Sequence, residues 1–377
     1  MKRINFLIPL IFFLLLISCD DSDTGRNSGK SSKKQSYEKD LRVFCNYESQ
    51  YIHRGAAITF TTEETNGIIS IGSAANSNAT APDLWTETDT FIFNDTGTVK
   101  IFARVLVNDE AAGEEYTFTY EVVEDYPWYD EEGVSKDDAS LVAWADGYSE
   151  FERGYDRTSI YDNPTVYGDL DYPERAYGPA TGDNFDVVVL GNHGYITLTF
   201  SGGIGNGEGF DFAVWENGFG TPSVDSFFAE LAYVEASSDG VNFVRFDSVS
   251  RTASPPGGYG CVCVHDIYGL CGMHPNAYSE PYLGTPFDLE WLRNKKSVVD
   301  GTVDLNNITH VRIIDIPGNG EEADADGDLI SDTENYDAPS IYFPCYDSFG
   351  NVIYDAFRTW GTGGVDLEAI GVINEAQ

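Results

Sequence analysis

Apolar and polar residues alternate with a period of two in the part of the chain that follows residue 40. In TVKIFARVLV, Val99, Ile101, Ala103, Val105 and Val107 fall on one face, with Lys100 and Arg104 on the other. The alternation returns in YTFTYEV at Tyr116, Phe118, Tyr120 and Val122. This is the period of a half-buried strand, and two such runs across the polar stretch NDEAAGEE predict a β-hairpin. Turn residues recur upstream and no helical period intervenes, so residues 41–125 read as a module of short strands. Beyond DYPWYDEEG the pattern changes to brief apolar runs, each closed by turn residues: DVVVLG, YITLTF, FDFAVWEN, LAYVEASS, HVRIIDI and IGVIN. Each has strand length. Residues 126–377 are therefore predicted to form a second, larger β-sandwich of jelly-roll type, burying one face of each strand. Only KDDASLVAWADGYSEF and DLEWLRNKK read as helices, so the predicted fold class is all-β.

Composition narrows the partners. Lys+Arg 22 against Asp+Glu 62 gives a net charge of -40 over 377 residues. Such a field repels nucleic acid and anionic lipid surfaces and favours a hard cation. At the N-terminus, Lys2 and Arg3 precede an apolar run from Phe6 to Ile17. At about 1.5 Å per residue the run falls short of a bilayer core of roughly 30 Å, which marks residues 1–18 as an export signal. Residues 20–40 lack aliphatic side chains; with Cys19 they read as a flexible tether, 19–40. Export to an oxidising compartment favours disulfides among Cys261, Cys263, Cys271 and Cys345, and leaves Cys45 as the odd thiol. CVCVHDIYGLCGMH also carries enough Cys and His for a tetrahedral zinc site, but its C-x-C spacing is unlike the usual knuckle.

Several segments resemble known families. LISC resembles the lipobox of bacterial lipoproteins, which implies cleavage before Cys19 and lipid attachment there. NDTGTV resembles the approach to the penultimate strand of immunoglobulin-like domains, although Val99 stands where a tyrosine is common. That implies an immunoglobulin-like sandwich over 41–125, usually a spacer. FDVVVLGNHGYITLTF, GEGFDFAVWENGF, FFAELAYVEASSDGVNFVRF, YLGTPFDLEWL, DLNNITHVRIIDI and GVDLEAIGVIN resemble, in that order, a bacterial cell-surface family of unassigned function. VEASSDGVNFVRF and HVRIIDI are also similar to galactose-binding-like sandwiches, whose members bind carbohydrate or other small ligands at loop ends.

DADGDLISDTEN spaces Asp324, Asp326 and Asp328 at positions 1, 3 and 5 of a loop, with Gly327 for the turn. Ile330 offers its carbonyl at position 7, Asp332 stands at position 9, and Asp337 lies within reach. Calcium takes six to eight oxygens at about 2.3–2.6 Å, which a tightly wound loop of alternate acids supplies. The stretch resembles a thrombospondin type 3 repeat and reads as a structural calcium loop inserted at 324–337. Resemblance to jelly-roll binding modules, which often hold calcium between sheet edges, implies a second cation site at Asp211, Glu216 and Asp366, with Glu230 beside them. An ordinary turn at Glu216 and Asn217 is the alternative. Trp215, Phe219, Tyr259, Tyr268, Tyr278, Tyr282 and Trp360, with His274 in the Cys-rich segment, are candidates for stacking on a flat ligand.

No G-x-S-x-G, H-E-x-x-H or phosphate-cradling loop is present in the sequence. The resulting expectation is a non-enzymatic, calcium-stabilised lipoprotein on the outer-membrane surface. It would bind a glycan or a small nutrient passed to an outer-membrane transporter. Two alternatives stay open, an adhesin or envelope-structural protein and a glycoside-active enzyme with paired acids in a cleft.

Overall fold

The computed structural model describes residues 41–124, 133–154, 172–220, 226–274, 276, 281–323, 340–357, 359 and 363–377. Strands account for 43% and helices for 6%, so the fold is all-β as the alternation predicts. The N-terminal strands are β1 (Val43–Cys45), β2 (Tyr51–His53), β3 (Ala57–Thr62), β4 (Ile68–Ala74), β5 (Trp85–Glu87), β6 (Thr90–Ile92), β7 (Gly97–Val107) and β8 (Glu110–Val123). One sheet runs β1-β3-β6 and the other β2-β8-β7-β4-β5. β2 lies parallel to β8, while the other neighbours pair antiparallel. The first two strands are thus split between the sheets, the arrangement of an immunoglobulin-like sandwich.

The faces follow the period-two reading. Ile101, Ala103, Val105 and Val107 of β7 and Phe118, Tyr120 and Val122 of β8 all enter one core. The connection is tighter than NDEAAGEE suggested. Asn108 and Asp109 form a two-residue turn with φ of 53° and 62°, and β8 begins at Glu110. Asn and Asp tolerate this left-handed backbone better than other side chains, which is why they serve tight hairpins.

The larger part begins with β9 (Val134–Ser135), β10 (Ala143–Trp144), β11 (Gly147–Glu152), β12 (Val188–Val189), β13 (Tyr195–Ile204) and β14 (Phe212–Glu216). β15 (Phe219–Gly220), β16 (Ser226–Phe228), β17 (Ala232–Ser237), β18 (Val244–Arg245), β19 (Val249–Ser250), β20 (Val262–Cys263) and β21 (Ile267–Tyr268) follow. β22 (Leu283–Phe287), β23 (Ile308–Asp315) and β24 (Asp366–Val372) complete the order.

One sheet runs β10-β24-β14-β22-β9, with β12 also on β24, and the facing sheet runs β11-β13-β23-β17-β18. Because β13, β14, β17, β22, β23 and β24 alternate between these sheets, the connections cross the sandwich as in a jelly roll. Leu198, Phe212, Val214, Phe246, Phe287, Ile313 and Ile370 fill the interior. Each such side chain contributes about 1.5–3 kcal/mol on burial.

Neither predicted helix forms as such. The first segment supplies β10 and β11, because Ala143 and Trp144 find partners on Val372 and Gly371 of β24, so sheet pairing overrides local propensity. DLEWLRNKK gives a 3₁₀ turn, Leu289–Leu292, in which the Asp288 side chain caps the Glu290 amide. One α-helical turn follows, Lys296–Val299. This segment holds the N-terminal sandwich. The Thr119 carbonyl accepts from Arg293 Nε (3.1 Å), Arg293 Nη2 (2.8 Å) and Asn294 Nδ2 (2.9 Å). Asn294 Oδ1 accepts from the Thr119 amide in return.

Candidate functional site

Two features stand out, an open cleft and a set of buried acids. The cleft starts at the 3₁₀ turn Pro173–Ala176, where proline at the first position fixes φ and needs no donor. Tyr172, Arg175, Tyr177, Thr181, Asp186 and Glu368 line a cleft of about 420 Å³. Tyr172 is 48% exposed. The Arg175 guanidinium sits 5.8 Å from the Tyr172 ring centre, and its Nη1 donates to the Phe185 carbonyl at 3.1 Å. Glu368 forms the buried floor. Its Oε1 accepts from the Thr181 hydroxyl (2.8 Å) and from the Thr181 and Gly182 amides (2.5 and 2.6 Å), and its Oε2 from Asn276. Flat rings, a planar cation and fixed acceptors around an open hollow suit a ligand with apolar faces and hydroxyl edges.

The buried acids lie where β14 ends and β24 begins. A register shift between Trp215 and Glu216 breaks the ladder, and such bulges re-aim side chains. Both oxygens of Glu216 are buried without a well-formed hydrogen bond, the Gly218 amide being its nearest backbone donor. Its carboxyl is pushed well above the usual range, by burial first and then by the charges of Asp366 and Asp355. Glu230 is raised likewise by burial, Asp366 and Glu216, although Thr359 Oγ1 donates to its Oε1 at 2.7 Å. Asp355 accepts from the Leu231 amide at 2.7 Å and is raised by burial and by Asp315. Asp315 accepts from the His193 and Val365 amides at 2.9 and 2.8 Å, and burial pushes it up to about 7. Asn217 links the two features, since its Nδ2 donates to Asp366 Oδ2 and to the Asn184 carbonyl, each at 3.1 Å.

The structure therefore brings Glu216 and Asp366 together with Glu230, but not with Asp211. Asp211 precedes β14 at its far end, about 17 Å away at the rise of a strand. It is satisfied there by Gly207, Leu289 and Asn374. Among the described residues no three His, Cys, Asp or Glu side chains are set to share a metal ion. Cys261, Cys263, Cys271 and Cys345 stand as free thiols, as does Cys45, so the expected disulfides are not formed. Cys271 is fully buried, and its thiol is pushed well up by burial and then by Glu216.

The stacking candidates need correction too. Trp215 is fully buried, tilted against Trp144 at 5.1 Å, with its Nε1 donating to the Tyr282 carbonyl at 3.0 Å. A strand buried on both faces has no solvent side, so this ring is core. Tyr268 is 8% exposed and packs on Trp291 and Tyr51 at the seam with the N-terminal sandwich. His274 is buried against Thr285 Oγ1 at 3.1 Å, and burial lowers its pKa to about 3, so the ring is neutral. Tyr282 lies with its ring against Gly182 and Lys136. Phe219 and Tyr259 do come together, on either side of Phe228 at 4.8 and 6.1 Å. Tyr278, Trp360, Cys19 and the acids Asp324, Asp326, Asp328, Asp332 and Asp337, with Ile330, lie outside the described residues.

No protein-family model matches the sequence, and no curated protein does. Among solved structures, the SusE-like protein BT2857 is similar over 88% of this chain and 96% of its own, at 11% identity and a TM-score of 0.24. A likeness that weak defines neither a shared fold nor a shared activity.

Proposed function

We propose that the chain is an exported, lipid-anchored surface protein that binds a glycan, without catalysis, in the cleft of Tyr172, Arg175 and Tyr177. The observation that carries this reading is the side-chain chemistry of that cleft. The exposed Tyr172 ring and the half-buried Tyr177 ring can stack on the apolar face of a sugar ring, while Arg175 and Asp186 offer a donor and an acceptor to its hydroxyl edges. Glu368 supports the non-catalytic part. Its two oxygens are engaged by four donor groups, which suits a floor that positions a loop better than an acid that transfers protons. The signal-like residues 1–18 and Cys19 support export and anchoring, with the outer membrane as the site and transfer to an outer-membrane transporter as one use. The 324–337 loop is proposed to hold a structural calcium ion.

Isothermal titration of the full chain in detergent against a panel of neutral and acidic oligosaccharides tests the cleft. Tyr172→Ala/Tyr177→Ala and Arg175→Ala should each weaken the binding glycan at least tenfold, about 1.4 kcal/mol. Unchanged affinity in both variants, or no binding by any glycan, overturns the assignment and favours the protein-adhesion alternative.

A further inference from the structure

Glu216 poses a problem that the cleft does not solve. Burying an ionised carboxylate is costly unless charge or hydrogen bonds compensate it. No lysine, arginine or histidine among the described residues pairs with Glu216 or Glu230. The neighbours that Glu216 does have are further acids, Asp366 and Asp355, and a second buried glutamate, Glu230, feels its charge. Both glutamates are nearly inaccessible, at 1% and 3% exposure.

The backbone around Glu216 is open in a particular way. A methyl group added at Gly218 would stand 2.8 Å from Glu216 Oε2 and 2.9 Å from the Phe228 carbonyl oxygen. One added at Gly272, whose φ of 87° itself suits glycine, would stand 2.4 Å from the Glu230 carbonyl oxygen and 3.5 Å from the same Glu216 oxygen. Two glycines thus keep a small space in which a carboxylate with no well-formed hydrogen bond faces two backbone carbonyls. The Gly218 amide is the backbone donor nearest Glu216, and it leaves both carboxylate oxygens without a well-formed hydrogen bond. Two unsatisfied carboxylate oxygens beside further acids and two backbone carbonyls call for a proton or a cation.

We infer that a hard divalent cation of the calcium class binds in this space, with Glu216 as its central ligand. The Phe228 and Glu230 carbonyls complete a mixed oxygen set, and Glu230 and Asp366 add negative charge nearby without converging on the ion. Calcium accepts such irregular sets of carboxylate and carbonyl oxygens, so the site does not need three converging acid side chains. The ion would offset the charge that β14, β24 and the β16–β17 connection bring together. This site is independent of the glycan reading and of the 324–337 loop.

The test uses the full chain in detergent with Asp326→Ala and Asp328→Ala, which silence the acidic loop. After removal of metal with EDTA and exchange into buffer, calcium chloride is titrated by calorimetry. One equivalent of calcium should bind, and the unfolding temperature should rise with it. Adding Glu216→Gln, which keeps the shape and removes the charge, should weaken that binding at least tenfold and abolish the thermal shift. The same variant should melt no lower than its parent in EDTA, because Glu216 has no well-formed hydrogen bond or ion pair to lose. No calcium binding in the parent overturns the inference and leaves the acids as a protonated cluster. Equal affinity in parent and Glu216→Gln also overturns it. Should Glu216→Gln lose its near-ultraviolet circular dichroism, Glu230→Gln carries the same expectation.

Discussion

Asp315 offers the sharpest test of how this interior handles its acids. Its carboxyl is 1% exposed, and burial pushes it up to about 7 although two backbone N–H groups bind its oxygens. In the unfolded chain the same group titrates near 3.9. A folded value above the unfolded one means that the native state holds the proton more tightly. The stability this contributes is full below the unfolded value and is lost as the pH rises through about 7. At 1.36 kcal/mol per unit, the two units from pH 5 to pH 7 correspond to roughly 3 kcal/mol. Asp315→Asn has no proton to lose, so it removes this slope. It also replaces one acceptor oxygen with a donor facing a backbone N–H, a cost of about 1–3 kcal/mol that is independent of pH. The stability gap between wild type and Asp315→Asn should therefore be widest at pH 5 and shrink by roughly 3 kcal/mol by pH 8. Urea unfolding in EDTA, followed by tryptophan fluorescence, measures the gap, and the subtraction cancels groups that titrate alike in both proteins. Glu230, Asp355 and Cys345 feel the Asp315 charge directly and do not cancel fully, so they alter the size of the change more than its sign. A gap constant to within about 1 kcal/mol refutes the reasoning. It would mean that the His193 and Val365 amides hold Asp315 ionised throughout.

Two further outcomes follow from packing and burial. Gly284→Ala would place its methyl 2.7 Å from Cδ2 and Cε2 of Trp215, so it should cost about 1–3 kcal/mol in thermal unfolding, and an unchanged melt contradicts the packing. The His274 ring, lowered to about 3 by burial, should show no NMR titration between pH 8 and pH 5. Its stabilisation has the opposite sign to that of Asp315, being present above the unfolded value near 6.5 and lost as the pH falls towards 3.

The strands were legible because β7 and β8 each keep one face apolar, and a period of two is the mark of a strand with one side in the core. The first helix expectation failed at Ala143 and Trp144, whose conformation is decided by a partner strand more than 200 residues away in sequence. Trp215 misled for a related reason. On a strand with core on both faces, alternation carries no inside and outside, and Phe212 and Val214 serve one cluster while Ala213 and Trp215 serve another. Glu216 and Asp366 could be picked out as acids on apolar strands, but their proximity to Glu230, Asp315 and Asp355 depends on five separate segments. The cleft was missed altogether. In YPERAYGP, two tyrosines bracket an arginine within a proline-opened turn, a signal of an exposed aromatic and charged ledge, yet nothing local reveals that β24 supplies the floor.

That floor has a consequence for recognition. β24 is hydrogen-bonded on one edge to β14 and on the other to β10 and β12, and all seven of its residues are buried. A strand locked on both sides shifts only by whole residues, so Glu368 has little freedom to adapt to a visitor. Whatever docks above it meets a preorganised surface whose conformational entropy was surrendered during folding. Such a surface discriminates by shape at the moment of encounter. Differences among related ligands should then reside in how fast they leave, with arrival rates nearly alike.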